Sequence, residues 1–204
     1  MSKNEVTLRN SIIKTSDGQL LSREQRALMT KITPKGADLV LADVSYSMAG
    51  PAKDGRRCID CLRDALAPLV GQIHVLAFDS NWEEVDADLI PEPRGGTRLD
   101  KALIRAKELE PIHVLVISDG ESDGGFERIL RPAKALAEDC VIDTMFIGDS
   151  NAVRAKDLMR ELANIGGGRY VEYDIAQNNP LLLGGKINQL LSLPAPTKNV
   201  ITLG

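Results

Sequence analysis

The sequence predicts an α/β fold in which a doubly wound, mainly parallel sheet is flanked by helices. Short apolar runs recur along the chain, and such runs are typical of strands that are buried on both faces. Amphipathic stretches, with apolar residues three or four positions apart, separate these runs. Strands that alternate with helices in this order favour parallel pairing, because a helix then crosses over between successive strands.

Length and composition agree with one globular domain. The chain has 204 residues, of which 43% are apolar and 26% are charged, as in soluble globular proteins. A formal net charge of -4 and an aromatic content of 3% argue against a general nucleic-acid binder, which usually carries a basic patch or stacking aromatic residues. No apolar run approaches the roughly 20 residues of a membrane helix. We therefore expect neither nucleic acid nor a membrane as partner.

The N-terminus and the cysteines predict a cytoplasmic protein. The first ten residues, MSKNEVTLRN, contain no apolar segment of the kind found in secretory signals. The three cysteines are an odd number without the spacing of a disulfide framework, which is typical of a reducing compartment. Cys58 and Cys61 have the C-x-x-C spacing of zinc or redox sites. On a helix we expect them to be small buried packing residues instead.

The first half of the chain contains the strand that organises the fold. Residues 1–36 are expected to form a lead-in of short strands and a helix that packs on the domain, which is predicted over 37–192. The apolar run Leu39–Ala42 predicts a buried strand that ends at Asp43, with a buried helix as the alternative that periodicity alone does not exclude. A loop and a helix over 56–69 follow, and then come a strand over 73–78 and a short strand over 82–85.

The second half repeats the alternation of helix and strand. A helix follows Thr97, and an apolar strand begins at His113 and runs into Ser118-Asp119-Gly120. Pro132 is expected in the first turn of a new helix, because proline lacks the N–H that a helix interior needs. Further elements are a strand over 141–147, a helix over 152–164, a strand over 169–173 and a helix over 181–191. Residues 193–204 are a C-terminal tail to which no element is assigned.

Oxygen-bearing side chains follow the organising strand at alternate positions. These are Asp43, Ser45 and Ser47, and alternate residues of an extended segment point the same way. Hard oxygen ligands directed at one point suit a small divalent cation, with Mg2+ or Mn2+ ahead of zinc. The alternative is that Asp43 and the serines cap the helix that follows, since Asp and Ser are common N-cap residues.

Two further stretches are expected at the same edge of the sheet. Thr97 follows Gly95-Gly96 at the start of a helix, and Asp119 directly follows a strand, with more carboxylates close behind it. Ligands of such sheets gather beyond the carboxyl ends of the strands, so three separate stretches converge there. The alternative for Thr97 is that it is only an N-cap, with Asp100 as a weak capping partner, although a hydroxyl oxygen with two lone pairs can both cap a helix and bind a cation.

The histidines give no sign of another site. His74 and His113 are the two histidines of the chain, and each lies inside an apolar run rather than at the end of a strand. We expect both to be packed core residues. A catalytic triad or a zinc site would therefore lack its usual base or ligand.

Taken in order, these stretches resemble a von Willebrand factor type A (VWA) domain. The resemblance covers roughly residues 37–191 and rests on D-V-S-Y-S, Gly-Gly-Thr, I-S-D-G, I-D-T-M-F-I-G-D and G-G-G-R-Y. It implies a Rossmann-like VWA fold with an intact metal-ion-dependent adhesion site (MIDAS). Tyr46 stands where many members of the family have glycine, which places a bulky group at the rim. The metal ligands that the resemblance implies are Asp43, Ser45, Ser47, Thr97 and Asp119.

The resemblance also implies a function in metal-dependent protein–protein interaction rather than catalysis. In the family, a partner Asp or Glu completes the shell of a divalent cation, expected here to be Mg2+ with Mn2+ or Ca2+ as alternatives. We expect an adaptor subunit of a cytoplasmic, bacterial multi-protein system. Candidate partners are a AAA+ ATPase and a component of a stress-resistance system.

Two alternatives to an interaction module remain. One is a Mg2+-dependent phosphoester hydrolase with Asp43 as nucleophile. Such hydrolases usually place a second acid two residues later, where this chain has Ser45, and the sequence contains neither a G-x-S-x-G elbow nor a lysine-bearing phosphate loop. The other alternative is a scaffold whose metal site is idle.

Overall fold

The computed structural model describes residues 37–192 apart from 124, 150 and 176. In this part of the chain six strands form one sheet. They are β1 Asp38–Asp43, β2 His74–Phe78, β3 Trp82–Val85, β4 His113–Ser118, β5 Val141–Phe146 and β6 Tyr170–Glu172. The strand order is β3-β2-β1-β4-β5-β6, and every neighbouring pair is parallel except β2 with β3. The prediction of a mainly parallel sheet is confirmed, whereas the predictions for 1–36 and 193–204 lie outside the described residues.

Helices cover both faces of the sheet. Those found in the described residues are α1 Cys58–Leu66, α2 Leu99–Glu108, α3 Phe126–Leu136, α4 Val153–Gly166 and α5 Leu183–Ser192. One apolar cluster joins α1 and α5 to the sheet, and a second joins α2, α3 and α4 to the opposite face. Within the described part of the chain, no helix is long and apolar enough to span a membrane.

The burial of β1 explains its continuous apolar run. Val40 and Ala42 belong to the cluster on one face, and Leu39 and Leu41 belong to the cluster on the other. Successive side chains of a strand point to opposite faces, so a central strand covered by helices on both sides needs apolar residues at every position.

The connections that follow β1 and β4 leave the sheet toward opposite faces. β1 pairs in parallel with β2 on one side and with β4 on the other. The chain leaves β1 toward α1 on one face and leaves β4 toward α3 on the opposite face. Loops that part in this way leave a cleft at the carboxyl edge of an α/β sheet, which is where ligands of such folds bind.

The helix around Pro132 differs from the prediction. α3 begins at Phe126 and continues through Pro132, which therefore lies in the helix interior and not in the first turn of a new helix. Proline cannot donate a hydrogen bond to the carbonyl of Arg128 one turn earlier. Packing of the buried face holds the helix together across this gap, because buried residues lie on both sides of the proline: Ile129, Ala133 and Leu136.

The two cysteines of the C-x-x-C pair are buried and unpaired in α1. Burial raises the pKa of the Cys58 thiol to about 11 and also raises the pKa of Cys61. Thiols held in the neutral form are poor metal ligands and poor nucleophiles. The prediction that both cysteines are packing residues agrees with this environment.

Candidate metal centre

Asp43 is the last residue of β1, and its side chain is fully buried. One carboxylate oxygen accepts the backbone N–H of Ser45 over 2.8 Å, and the other accepts the hydroxyl of Ser118 over 2.5 Å. Burial, followed by the nearby charge of Asp119, raises the pKa of Asp43 to about 7, against the lowering effect of these hydrogen bonds. A carboxylate is thus held rigidly at a place where its charge is costly.

Ser45 and Ser47 direct their hydroxyls toward each other. Their Oγ atoms lie 3.0 Å apart, and Ser45 is buried. Ser45 occupies the N-cap position of a 3-10 helix, Tyr46–Ala49, but makes no side-chain capping hydrogen bond to it. The capping alternative therefore does not account for these hydroxyls.

Thr97 is buried in the loop before α2. Its backbone N–H donates to the carboxylate of Asp123 over 2.8 Å. The N-cap of α2 is Arg98 and not Thr97, so the interpretation of Thr97 as a helix cap is wrong. The same loop is joined to the segment after β1, because the N–H of Tyr46 donates to the carbonyl of Gly95 over 3.2 Å.

Asp119 follows β4 and is half-buried. Burial raises its pKa, while a hydrogen bond from the Ser47 side chain acts in the opposite direction. Asp119 also raises the pKa of Asp43 through charge repulsion. The structure therefore brings Asp43, Ser45, Ser47 and Asp119 together. Backbone contacts join the Thr97 segment to the loops that carry these residues.

The chemistry of this group of side chains fits a divalent cation. Two carboxylates repel each other at a place where hydroxyl oxygens also converge, and hard oxygen donors of this kind suit Mg2+, Mn2+ or Ca2+. Among the described residues, no three His, Cys, Asp or Glu side chains gather to hold a metal. A cation at this edge would depend on the hydroxyls as well as on Asp43 and Asp119.

Two side chains to which sequence reasoning assigned no role support the site. Ser118 binds the carboxylate of Asp43, and Asp123 binds the backbone of Thr97. Ser118 is the polar last residue of an apolar strand, which is the signal that could have revealed it. Asp123 gives no comparable signal, since it is one of several carboxylates in an exposed loop.

Solved structures with the same architecture come from proteins of low sequence identity. A von Willebrand factor type A protein from Catenulispora acidiphila superposes with a TM-score of 0.59 at 15% identity, over 76% of this chain and 41% of that one. The SpRpn10 VWA domain gives 0.54 at 13% identity, over 76% and 95%. The chain has the VWA fold.

A third structural neighbour was solved with zinc in its MIDAS motif. It is proximal thread matrix protein 1 from the mussel byssus with a zinc-occupied MIDAS, with a TM-score of 0.56 at 16% identity, over 77% of this chain and 47% of that one. This chain therefore spans less than half of both the mussel protein and the Catenulispora acidiphila protein. No protein-family model and no curated protein sequence matches the chain.

Proposed function

We propose that this VWA-fold domain binds a protein partner through a divalent cation. The proposed ligands are Asp43, Ser45, Ser47, Thr97 and Asp119. The proposal depends on one observation, the meeting of two like-charged carboxylates with converging hydroxyls at the carboxyl edge of the sheet. Such an arrangement costs free energy on its own and becomes favourable when a cation balances the charges.

The neutral donors explain why the cation would bind a partner. A cation held partly by hydroxyls keeps much of its positive charge, and Mg2+ retains positions that water or another oxygen can occupy. The carboxylate of a partner Asp or Glu would fill such a position. Removing that carboxylate would leave a desolvated charge at an interface, so the contact would be a binding hot spot.

Apolar side chains around the same edge support a protein as the partner. Tyr46 is 72% exposed, Phe126 40% and Val153 61%. Phe126 and Val153 also line a cleft of about 750 Å³ between the starts of α3 and α4, and Gly120, the neighbour of Asp119, lies in the same lining. A protein partner with an apolar residue close to its Asp or Glu would cover the metal site and the apolar cleft together. A small ligand would leave the apolar side chains exposed.

Calorimetric titration of the chelated protein with Mg2+ and Mn2+ tests the metal site. We expect saturable binding to the wild type and none to the double variant Asp43→Ala, Ser45→Ala. Asp149→Ala is the matched control, because Asp149 is an exposed carboxylate just beyond the end of neighbouring β5 and should bind metal normally. Absence of binding to the wild type would overturn the proposal.

The partner carboxylate can be tested without knowing the partner. N-acetylglutamate amide and its glutamine analogue would be titrated into the Mg2+-loaded protein and followed by amide NMR shifts. We expect the glutamate compound alone to shift signals near Ser45, Thr97 and Asp119. Equal shifts with the two compounds would contradict recognition of a carboxylate.

The hydrolase alternative has less support. Asp43 is fully buried, and Ser45 stands two residues later, where such hydrolases usually place a second acid. Mg2+-dependent turnover of p-nitrophenyl phosphate, lost in Asp43→Asn, would favour the hydrolase over the interaction module.

A further inference from the structure

We infer that Asp123 is a positioning residue that holds the Thr97 segment against the loop carrying Asp119. This inference rests on the proposed function, because its consequence for metal binding requires Thr97 to be a ligand. The attachment of the Thr97 segment to Asp123 does not require a cation, so it can be measured in the metal-free protein. Asp123 is not among the proposed ligands, and its effect would be exerted through the backbone of Thr97.

Two hydrogen bonds join Asp123 and Thr97 in both directions. The N–H of Thr97 donates to the Asp123 carboxylate over 2.8 Å, and the N–H of Asp123 donates to the carbonyl of Thr97 over 3.2 Å. The first has a charged acceptor, which makes it the stronger of the two. The pair fixes both the position and the orientation of the Thr97 peptide relative to the loop after β4.

Gly96 leaves the space that the Asp123 carboxylate occupies. A Cβ on Gly96 would lie 1.9 Å from Oδ2 of Asp123, far inside van der Waals contact. Gly96 does not have a left-handed φ, unlike Gly95 with φ of 62°, so its backbone accepts alanine. The carboxylate is thus the obstacle to a side chain at this position, and glycine here permits the contact with Thr97.

The opposite side of the Thr97 segment is tied to other parts of the fold. Gly95 accepts from the N–H of Tyr46 over 3.2 Å, and Gly96 donates to the Ser80 hydroxyl over 2.8 Å. The segment is therefore held on one side by the loops that follow β1 and β2, and on the other side by the loop that follows β4. Without Asp123 the first attachment remains and the second is weakened, so Thr97 would move relative to Asp119.

Two substitutions break the same hydrogen bond from opposite sides. Asp123→Ala removes the acceptor, and Gly96→Ala displaces it while leaving the carboxylate in the protein. We expect each to speed amide hydrogen exchange at Thr97 in the metal-free protein at least tenfold, and to weaken Mg2+ binding in calorimetry about tenfold. Asp123→Asn keeps an oxygen acceptor, so it should restore slow exchange and most of the affinity.

Controls separate positioning from charge and from general damage. Glu121→Ala removes a neighbouring exposed carboxylate, and Gly185→Ala adds a Cβ in α5 that meets nothing within 4 Å. Both should leave exchange at Thr97 and Mg2+ affinity unchanged. Circular dichroism and urea unfolding of every variant would show that the fold is retained.

Each outcome decides a different part of the inference. Unchanged exchange at Thr97 in Asp123→Ala would overturn the positioning role. Equal losses of affinity in Asp123→Asn and Asp123→Ala would also overturn it, because charge and not the hydrogen bond would then matter. A final outcome is that the wild type exchanges the Thr97 amide more slowly than Asp123→Ala does and yet binds no Mg2+. That result would uphold the positioning role of Asp123 and overturn the proposed function.

Discussion

The hydroxyl of Ser118 donates a hydrogen bond of 2.5 Å to the buried carboxylate of Asp43. The two residues end the neighbouring parallel strands β4 and β1, whose preceding residues Ile117 and Ala42 lie side by side in the sheet. The same hydroxyl accepts the N–H of Gly120 over 2.9 Å. One side chain thus connects the two strand ends that carry the proposed aspartate ligands.

Replacing Ser118 by alanine should destabilise the protein. Ser118→Ala removes a donor from a buried carboxylate, and a hydrogen bond to a charged group contributes about 2 kcal/mol. We expect the free energy of unfolding at pH 8.5, above the Asp43 pKa of about 7, to fall by about that amount when it is measured with urea in the presence of chelator. Ser122→Ala is the control, because the Ser122 hydroxyl is half-exposed and lies 3.5 Å from its acceptor, the Thr97 carbonyl. A smaller loss in Ser118→Ala than in Ser122→Ala would contradict the role assigned to Ser118.

Removal of metal should lower the stability of the wild type. A ligand that binds the folded state alone stabilises it by about 2.7 kcal/mol at a free concentration 100 times its dissociation constant. We expect urea unfolding with saturating Mg2+ to show this gain over chelated protein. Asp119→Asn should show little or no gain while keeping its fold. An equal gain in wild type and variant would place the metal elsewhere.

A buried ion-pair network lies on the part of the sheet away from the candidate metal centre. His113, at the start of β4, is 3.0 Å from Asp143 and 3.5 Å from Asp38. Arg169 also binds Asp143 with its backbone N–H and its guanidinium, which reaches the carbonyl of Leu190 in α5 over 2.6 Å. Burial raises the pKa of Asp143, but its hydrogen bonds to His113 and Arg169 outweigh this and lower it.

This network should make stability depend on pH above neutrality. Burial lowers the pKa of His113, but hydrogen bonds to Asp143 and Asp38 outweigh it and raise the pKa from 6.5 to about 9. A raised pKa in the folded state contributes stability that is complete below pH 6.5 and is lost as the pH rises through 9. The loss between pH 6 and pH 10 should be on the order of 3 kcal/mol.

The variant His113→Gln isolates this contribution. Urea unfolding of wild type and variant from pH 6 to pH 10 should give curves that converge as the pH rises, because only the wild type loses an ion pair. Other groups that titrate in this range, including Cys58 with its pKa raised to about 11, affect both proteins equally. His74 has a lowered pKa, so its contribution changes at the acidic end of the range and does so in both proteins. Parallel curves would show that His113 is neutral in the folded protein.

Replacing Pro132 should stabilise α3. Pro132→Ala supplies the N–H that can donate to the carbonyl of Arg128, and proline in a helix interior costs about 3 kcal/mol relative to alanine. Because the chain has already adapted to the proline, and proline also restricts the unfolded chain, we expect a gain of about 1 kcal/mol in urea unfolding. The neighbouring exposed substitution Arg131→Ala should change stability by less than about 0.5 kcal/mol. A loss of stability in Pro132→Ala would mean that the packing of the helix depends on the proline ring.

The order of elements and the candidate site could be predicted from the sequence because both are local patterns. Leu39–Ala42 and Val114–Ile117 are apolar at every position, as strands buried on both faces require. Asp43 and Asp119 lie just beyond these runs, so the rule that parallel strands end at one edge was enough to bring them together. The short antiparallel strand Trp82–Val85 also appeared as predicted.

The supporting contacts were decided by the tertiary structure alone. Asp123 reaches Thr97 and Ser118 reaches Asp43 across 26 and 75 positions of the chain, and no local pattern records which polar residue meets which after folding. Pro132 was misplaced for the same reason, since a local rule ends the helix there and only the packing of Ile129, Ala133 and Leu136 keeps it continuous. Periodicity thus determined which segments form strands and helices, whereas packing between distant segments determined how the oxygens at the sheet edge are held.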